Sequence, residues 1–224
     1  MSSGLVLDLI ASRHCRRAFL PDAVDADVLK EVLRSAANAP SSQNTQSWQV
    51  AVVTGDKLAA LSRWLCAAFD GEVAPKADYP NRPNQLDDVL KRRQDSYGTA
   101  IFAHHGIART DEPGRREHRR RNFVFFDAPV ELIFHLPINA VAGNFVDMGC
   151  FMQNVMLGLS AHGLGSCPQF SVASYSSVVH EVLGWSEPRC IVAGMAVGRF
   201  DATHPHNQFV PPRAELAEFC HWYD

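Results

Sequence analysis

Apolar residues change their spacing repeatedly along the chain, and each change marks the edge of an element. Leu5, Val6, Leu7, Leu9 and Ile10 crowd into a short helix that ends at a basic turn, Ser12 to Phe19, closed by Pro21. Val28, Leu29, Val32, Leu33, Ala36 and Ala37 then repeat at helical spacing, with Asp25 as N-cap and Pro40 as the stop. Residues 39–48 are polar and turn-forming, and the run Gln49 to Thr54 predicts a strand. Leu58, Leu61, Leu65 and Phe69 predict a second amphipathic helix. Residues 70–84, carrying Gly71, Pro75, Pro80 and Pro83, read as a loop. A further helix is expected over 85–103, with Leu86, Val89, Leu90, Tyr97 and Ile101 as its apolar positions.

In the second half, Ala128 to Leu136 reads as a core strand, with Pro129 tolerated at its start. Phe145 to His162 predicts a helix whose Phe145, Met148, Phe151, Met152, Val155, Met156 and Leu159 cover more than one face. Such a helix lies at the centre of its domain or in an oligomer interface. Gly163 ends it as a C-cap glycine. A short strand over Leu164 to Cys167, a turn at Pro168 to Ser171 and a helix over Tyr175 to Leu183 follow. The continuous apolar run Cys190 to Val197 predicts a strand covered on both faces. The tail, 199–224, contains Pro205, Pro211 and Pro212 and ends in Phe219, Trp222 and Tyr223. No repeat or linker divides the chain, so the expectation is one α+β domain over residues 1–224.

Composition narrows the function classes. Hydrophobic residues make up 46% and charged residues 20%, ordinary values for a globular protein. A net charge of -3 and a pI near 6.3 argue against a nucleic-acid or membrane-surface partner. No apolar run approaches the ~18 residues of a membrane span, and no basic segment precedes an apolar signal core. The cysteines, at 15, 66, 150, 167, 190 and 220, lack CxxC spacing and read as reduced thiols, so the expected address is the cytoplasm. Residues 104–122 peak in charge at Arg115 to Arg121 and are expected to be an exposed helix face or a mobile lid. They lack the interleaved aromatics of a nucleic-acid surface.

The chain carries no GxGxxG, GxxxxGK[ST], HExxH or GxSxG motif. Cys167 beside Ser166 reads as a strand-end thiol, since no nearby base is indicated. What the chain does carry is a basic turn, Ser12-Arg13-His14-Cys15-Arg16-Arg17, whose forked donors and compact positive field suit a phosphate monoester. Phosphate donors without a reactive constellation imply that a bound cofactor does the chemistry.

Four motifs in order resemble the FMN-dependent nitroreductase family. Arg13, His14, Arg17 and Phe19 match its first turn, with Cys15 where Ser is usual. Ala39-Pro40-Ser41-Ser42-Gln43-Asn44-Thr45-Gln46-Ser47-Trp48 is similar to its A-P-S-S/G-x-N-x-Q-P-W stretch, with Ser47 replacing Pro. Asp147-Met148-Gly149, Gln153-Asn154, Leu157 and Gly163-Leu164-Gly165 match its helix-to-strand pattern, and Gly194 and Gly198 its last strand. Asn207, Arg213 and Glu215 to Phe219 match its tail, with Pro211 where the family often has Lys. The segment Arg109, Asn122-Phe123 and Phe126 to Pro129 most resembles the nitrobenzoate reductase branch.

The resemblance implies a central mixed, mostly antiparallel sheet wrapped by helices, in an intertwined homodimer with FMN at the interface. It implies that Arg13, His14, Cys15, Arg17 and Arg213 meet the phosphate and ribityl end. Pro40, Ser41, Ser42 and Asn44 would lie along one edge of the isoalloxazine, and Pro168, Gln169, Phe170 and Ser171 along the other. NADH or NADPH would be the donor and a nitroaromatic, quinone or similar electron-poor small molecule the acceptor, in ping-pong order. Read singly, each motif has a plainer meaning: Pro40-Ser41-Ser42 as a helix-stopping turn, Asn44 as its cap, Arg213 as a surface residue, Pro168 to Phe170 as a strand end. Other activities of the same fold (dehalogenation, flavin fragmentation, azoline oxidation) and non-catalytic flavin binding stay open.

Overall fold

The computed structural model describes residues 3–81 and 83–224. Its elements in chain order are α1 (Ser3–Ser12), α2 (Ala26–Ala36), β1 (Gln49–Thr54), α3 (Gly55–Asp70), α4 (Asp88–His104), α5 (Glu112–Arg120), β2 (Val130–Pro137), α6 (Ala142–Ala161), β3 (Gly165–Gln169), α7 (Phe170–Ala173), α8 (Ser176–Leu183), β4 (Arg189–Gly198) and α9 (Pro205–Gln208). The strands form one sheet in the order β1-β2-β4-β3, and all three pairings are antiparallel. Parallel pairing enters only as isolated bridges, Cys15 with Ser166 and Lys76 with Tyr175.

The sheet is buried on both faces because its strands alternate between two cores. Val130, Leu132, Phe134 and Leu136 of β2 point to one side, where Leu29, Val32 and Ala36 of α2 and Met148, Phe151, Val155 and Leu159 of α6 cover them. Ile133, Ile191 and Ala196 point to the other side, against Leu61 and Leu65 of α3, Val172 of α7 and Val179 of α8. Each large apolar side chain fully buried in this way stabilises the fold by about 1.5–3 kcal/mol. Asp25 caps α2, its carboxylate accepting from Asp27 N at 2.8 Å. Gly163, at φ +71°, takes the left-handed turn that releases the chain from α6 into β3.

Two sequence expectations need correction, at 168–171 and on the helix over 85–103, and one alternative is decided, the exposed helix over the lid at 104–122. Pro168 and Gln169 end strand β3, and the turn gives way to α7 at Phe170. The basic segment holds an ordered helix, α5: Arg120 pairs with Asp70 at 2.9 Å, and Arg116 donates to Phe69 O at 3.3 Å. Residues at the end of α3 thus supply the carboxylate and carbonyls that draw α5 down. On α4 only Ile101 is buried, while Val89 and Leu90 stay 46% and 47% exposed. Leu5, Leu7, Val146, Trp222 and Tyr223 are also exposed large apolar side chains. Among the described residues, no helix is long and apolar enough to cross a membrane.

Candidate functional site

The basic turn is held against the end of β3 by backbone and by one buried amide. Arg16 N donates to Ser166 O at 3.0 Å, and Phe19 bridges Phe200. Asn207, 1% exposed, accepts through Oδ1 from Arg17 N at 2.6 Å and Ala18 N at 3.2 Å. Its Nδ2 donates to Ala18 O at 2.8 Å and Asp201 O at 2.7 Å. The tail therefore clamps the turn from about 190 residues away.

The three arginines of the turn have different tasks. Arg16 is engaged in the fold, donating to Asn207 O at 2.8 Å and stacking 4.2 Å over Phe200. Arg13 and Arg17 have no carboxylate partner among the described residues, and the Arg17 guanidinium donates to Tyr97 Oη at 3.3 Å. Burial works against the Arg17 charge, but its Cys167, Tyr97 and Cys15 neighbours hold its pKa above the ordinary value. Burial and then the Arg16, Arg13 and Arg213 charges push the His14 imidazole below its usual range. Two half-buried guanidinium groups without a carboxylate partner among the described residues have the chemistry to receive an anion. Beside them Ser12, Arg13, His14 and Ser166 line a cavity of about 200 Å³. Arg213 is exposed and donates back to Pro211 O at 2.8 Å, though its charge reaches His14.

The predicted stretch Pro168 to Ser171 lines a larger cavity of about 500 Å³, together with Arg119 and Asn122. Gln169 Nε2 donates to Asn122 O, while Gln169 Oε1 and Ser171 Oγ are buried without a partner. Gly194, directly across the ladder from Gln169, leaves room for the carboxyl of Glu131, which a Cβ there would strike. Glu131 is fully buried with neither oxygen bonded, and burial pushes its pKa well up.

Pro40, Ser41, Ser42 and Asn44 lie elsewhere. Ser42 N donates to Asp147, near the start of α6, at 3.3 Å, and Asn144 Nδ2 donates to Ser47 Oγ at 3.2 Å. The Arg13 cavity touches Ser160, at the other end of that helix. Thirteen residues at 1.5 Å each separate the two by roughly 20 Å. Gln43, Asn44 and Gln46 are held at φ 52°, 58° and 47°, conformations that non-glycine residues rarely adopt. Asn44 is solvent-exposed in this protomer. One protomer thus brings Arg13, His14, Cys15 and Arg17 against β3, with Arg213 at the rim and Pro168 to Ser171 at the far end of that strand. It does not bring 40–44 to them. Asn207 stands in the sequence only as part of the tail match and Tyr97 only as an apolar helix position; the clamp and the Arg17 contact they make carry no spacing signal.

Residues 10–199 match the nitroreductase family profile. The chain is 35% identical over 215 residues to a 4-nitrobenzoate reductase of Pseudomonas putida, covering 96% of this chain and 93% of that one. Its fold superposes with a TM-score of 0.94 on the FMN and NADPH-dependent nitroreductase NfnB from Sphigopyxis sp. strain HMH, at 34% identity over 98% and 99% of the two chains. The FMN-dependent nitroreductase NfnB from Mycobacterium smegmatis, in complex with NADPH, gives the same score at 33% identity, covering 99% of each chain. With motifs, fold and profile in agreement over nearly the whole length, this chain belongs to the nitroreductase family.

Proposed function

We propose that this chain is an FMN-dependent NAD(P)H oxidoreductase that reduces nitroaromatics and similar electron-poor small molecules. It works as a homodimer, with each flavin held between two copies. The observation that carries this reading is Arg13 and Arg17 on a turn clamped by Asn207, neither of them in a salt bridge among the described residues. That donor set fits a phosphate monoester, and the orphaned Gln169 Oε1 and Ser171 Oγ fit a polar ring at the other end of β3.

The remaining edge, 40–44, sits about 20 Å along α6 from the phosphate turn, too far to serve the same ring within one copy. A second copy related by a twofold axis supplies it. Exposed Leu7 and Val146 (65% and 68%), together with Trp222 and Tyr223 in the tail, offer the apolar surface such a pairing buries. Strain at Gln43, Asn44 and Gln46 fits a segment held in place for a ligand.

When bound, the flavin supplies the chemistry, taking a hydride equivalent from a nicotinamide and returning electrons to the acceptor. The chain's own residues position. Arg13 and Arg17 donate N–H groups to the phosphate, and Asn207 fixes the turn that presents them. The cavity between Phe170, Arg119 and Asn122 admits first the donor and then the acceptor, the sequential occupancy that ping-pong exchange requires. With its free cysteines, the chain fits the cytoplasm. NADPH is the donor in the complex of the NfnB relative, and a nitrobenzoate is the named substrate of another, which supports the substrate class.

The test is an anaerobic pair of half-reactions. The FMN-loaded protein is expected to bleach on NADPH or NADH and to regain its flavin band on 4-nitrobenzoate. Flavin that binds but never bleaches would leave a non-catalytic flavoprotein. Protein that takes up no FMN would overturn the reading.

A further inference from the structure

Cys15, expected at the phosphate and ribityl end, and Cys167 are two free thiols of the turn and its supporting strand whose sulfur chemistry the proposed reaction does not use. Cys15 is half-buried and stands in the turn between Arg13 and Arg17, while Cys167 is 2% exposed in the core beneath it. The isolated bridge from Cys15 to Ser166, fixed by Arg16 N to Ser166 O at 3.0 Å, sets their separation. Paired strands lie ~4.8 Å apart, and one residue along the strand adds ~3.3 Å. The two Cα atoms are therefore roughly 6 Å apart, inside the ~4.4–6.8 Å that a disulfide spans. Cys15 also packs against the apolar cluster that contains Cys167.

We propose that Cys15 and Cys167 form a peroxide-reactive thiol pair, in which Cys15 attacks a hydroperoxide and Cys167 then closes a disulfide onto it. Accessibility assigns the order, since a solvent oxidant reaches Cys15 and not the buried Cys167. The Cys15 sulfur attacks the O–O bond, which breaks to leave a sulfenic acid on Cys15 and an alcohol or water. Cys167 sulfur then attacks the Cys15 sulfur, and the hydroxyl leaves as water with the Cys167 proton. The sum is two thiols and one hydroperoxide giving one disulfide, one alcohol (water for hydrogen peroxide) and one water. The thiols lose two electrons and the peroxide gains them.

The charges support this division of labour. The hydrogen bond from Cys167 draws the Cys15 pKa down to about 6, burial opposes it, and Arg17 and Arg13 add to the lowering. At neutral pH Cys15 is mostly thiolate, the reactive form. That same hydrogen bond and burial push the Cys167 thiol well up, so it keeps its proton until it is needed. Burial raises the Cys66 and Cys190 thiols, leaving them unreactive.

One consequence rests on the proposed phosphate site. A phosphate on Arg13 and Arg17 takes up the arginine part of the field on the thiolate, so FMN slows the reaction as the thiolate fraction falls. Full-length protein, with and without FMN, is treated with hydrogen peroxide, digested without reduction and read by mass spectrometry. The expected product is a Cys15–Cys167 cross-linked peptide two hydrogens lighter than its parts. Cys167→Ser should instead leave a Cys15 sulfenic acid that dimedone traps. Unmodified Cys15 at a peroxide dose that oxidises Cys220, or Cys15 carried to sulfinic acid without a bridge in wild-type protein, would overturn the pair. A bridge that forms equally fast with FMN bound would instead uphold the pair and count against the phosphate site on this turn.

Discussion

Replacing Arg13 and Arg17 together by alanine removes two guanidinium groups of the basic turn that have no carboxylate partner among the described residues. In the proposed site each would donate a charge-assisted hydrogen bond to the phosphate, worth about 1.5–3 kcal/mol. Losing both costs about 3–6 kcal/mol, a weakening of FMN binding by roughly 10²- to 10⁴-fold. The fold should survive, because the clamp to Asn207 runs through Arg17 N and Ala18, not through either side chain. The partner the Arg17 side chain loses among the described residues is the Tyr97 hydroxyl at 3.3 Å. Fluorescence-quenching titration with FMN measures the change, and riboflavin serves as the control because it lacks the phosphate. The expected result is a large loss for FMN, little change for riboflavin, and an unfolding midpoint close to wild type. Rising salt should weaken FMN binding to wild-type protein and affect the variant less. Equal losses for FMN and riboflavin, or FMN binding unchanged, would refute the reasoning.

Other consequences are separable. Asn207→Ala leaves buried backbone groups of Arg17, Ala18 and Asp201 unpaired and should cost about 3 kcal/mol, read as a lower unfolding midpoint with weakened FMN binding. Glu131, neutral in the fold and ionised when unfolded, makes stability fall as pH rises above the ordinary carboxyl range. Denaturation of Glu131→Gln across pH 5 to 8 should lose that slope; an unchanged slope would place the charge elsewhere. Burial, then neighbouring imidazole or arginine charge, lowers His105 to about 3 and His206 and His135 to about 4. The unfolded chain therefore takes up more protons below pH 6.5, and stability should fall from there toward pH 4 with a slope of about two to three protons. His105→Asn should reduce that slope by about one proton.

Much of the fold can be read from spacing. Asp25 at the head of α2, the apolar circuit of α6 and the doubly covered β4 all follow from local pattern, and each is observed. The candidate site is legible only as separate pieces. Arg13, Arg17, Ser41, Asn44 and Gln169 announce themselves by residue type, but their spatial grouping depends on long-range pairing. The bridge from Cys15 to Ser166 and the clamp from Asn207 join segments that share no local periodicity. Helix α5 has a polar sequence without an apolar face, so spacing leaves an exposed helix and a mobile lid both open; Asp70 and the aromatic ring of Phe69, reached by Arg120 and Arg116, hold it in place. Glu131 and His135 reverse the usual exposure of polar side chains, and β2 shows why: its odd positions face the second core, where Gly194 makes room for the carboxyl.

The central claim is that the phosphate turn of one copy and the 40–44 edge of another form a single flavin site. Mixed dimers test it most directly. Arg13→Ala/Arg17→Ala protein and Ser41→Ala/Asn44→Ala protein are each expected to bind FMN poorly. Co-refolded in equal amounts, half of the dimers are hybrids, and each hybrid holds one intact site assembled from the two unmutated segments. FMN binding and NADPH-dependent reduction of 4-nitrobenzoate should then return to about a quarter of the wild-type level. No recovery on mixing, with hybrid dimers demonstrated by mass, would contradict the divided site.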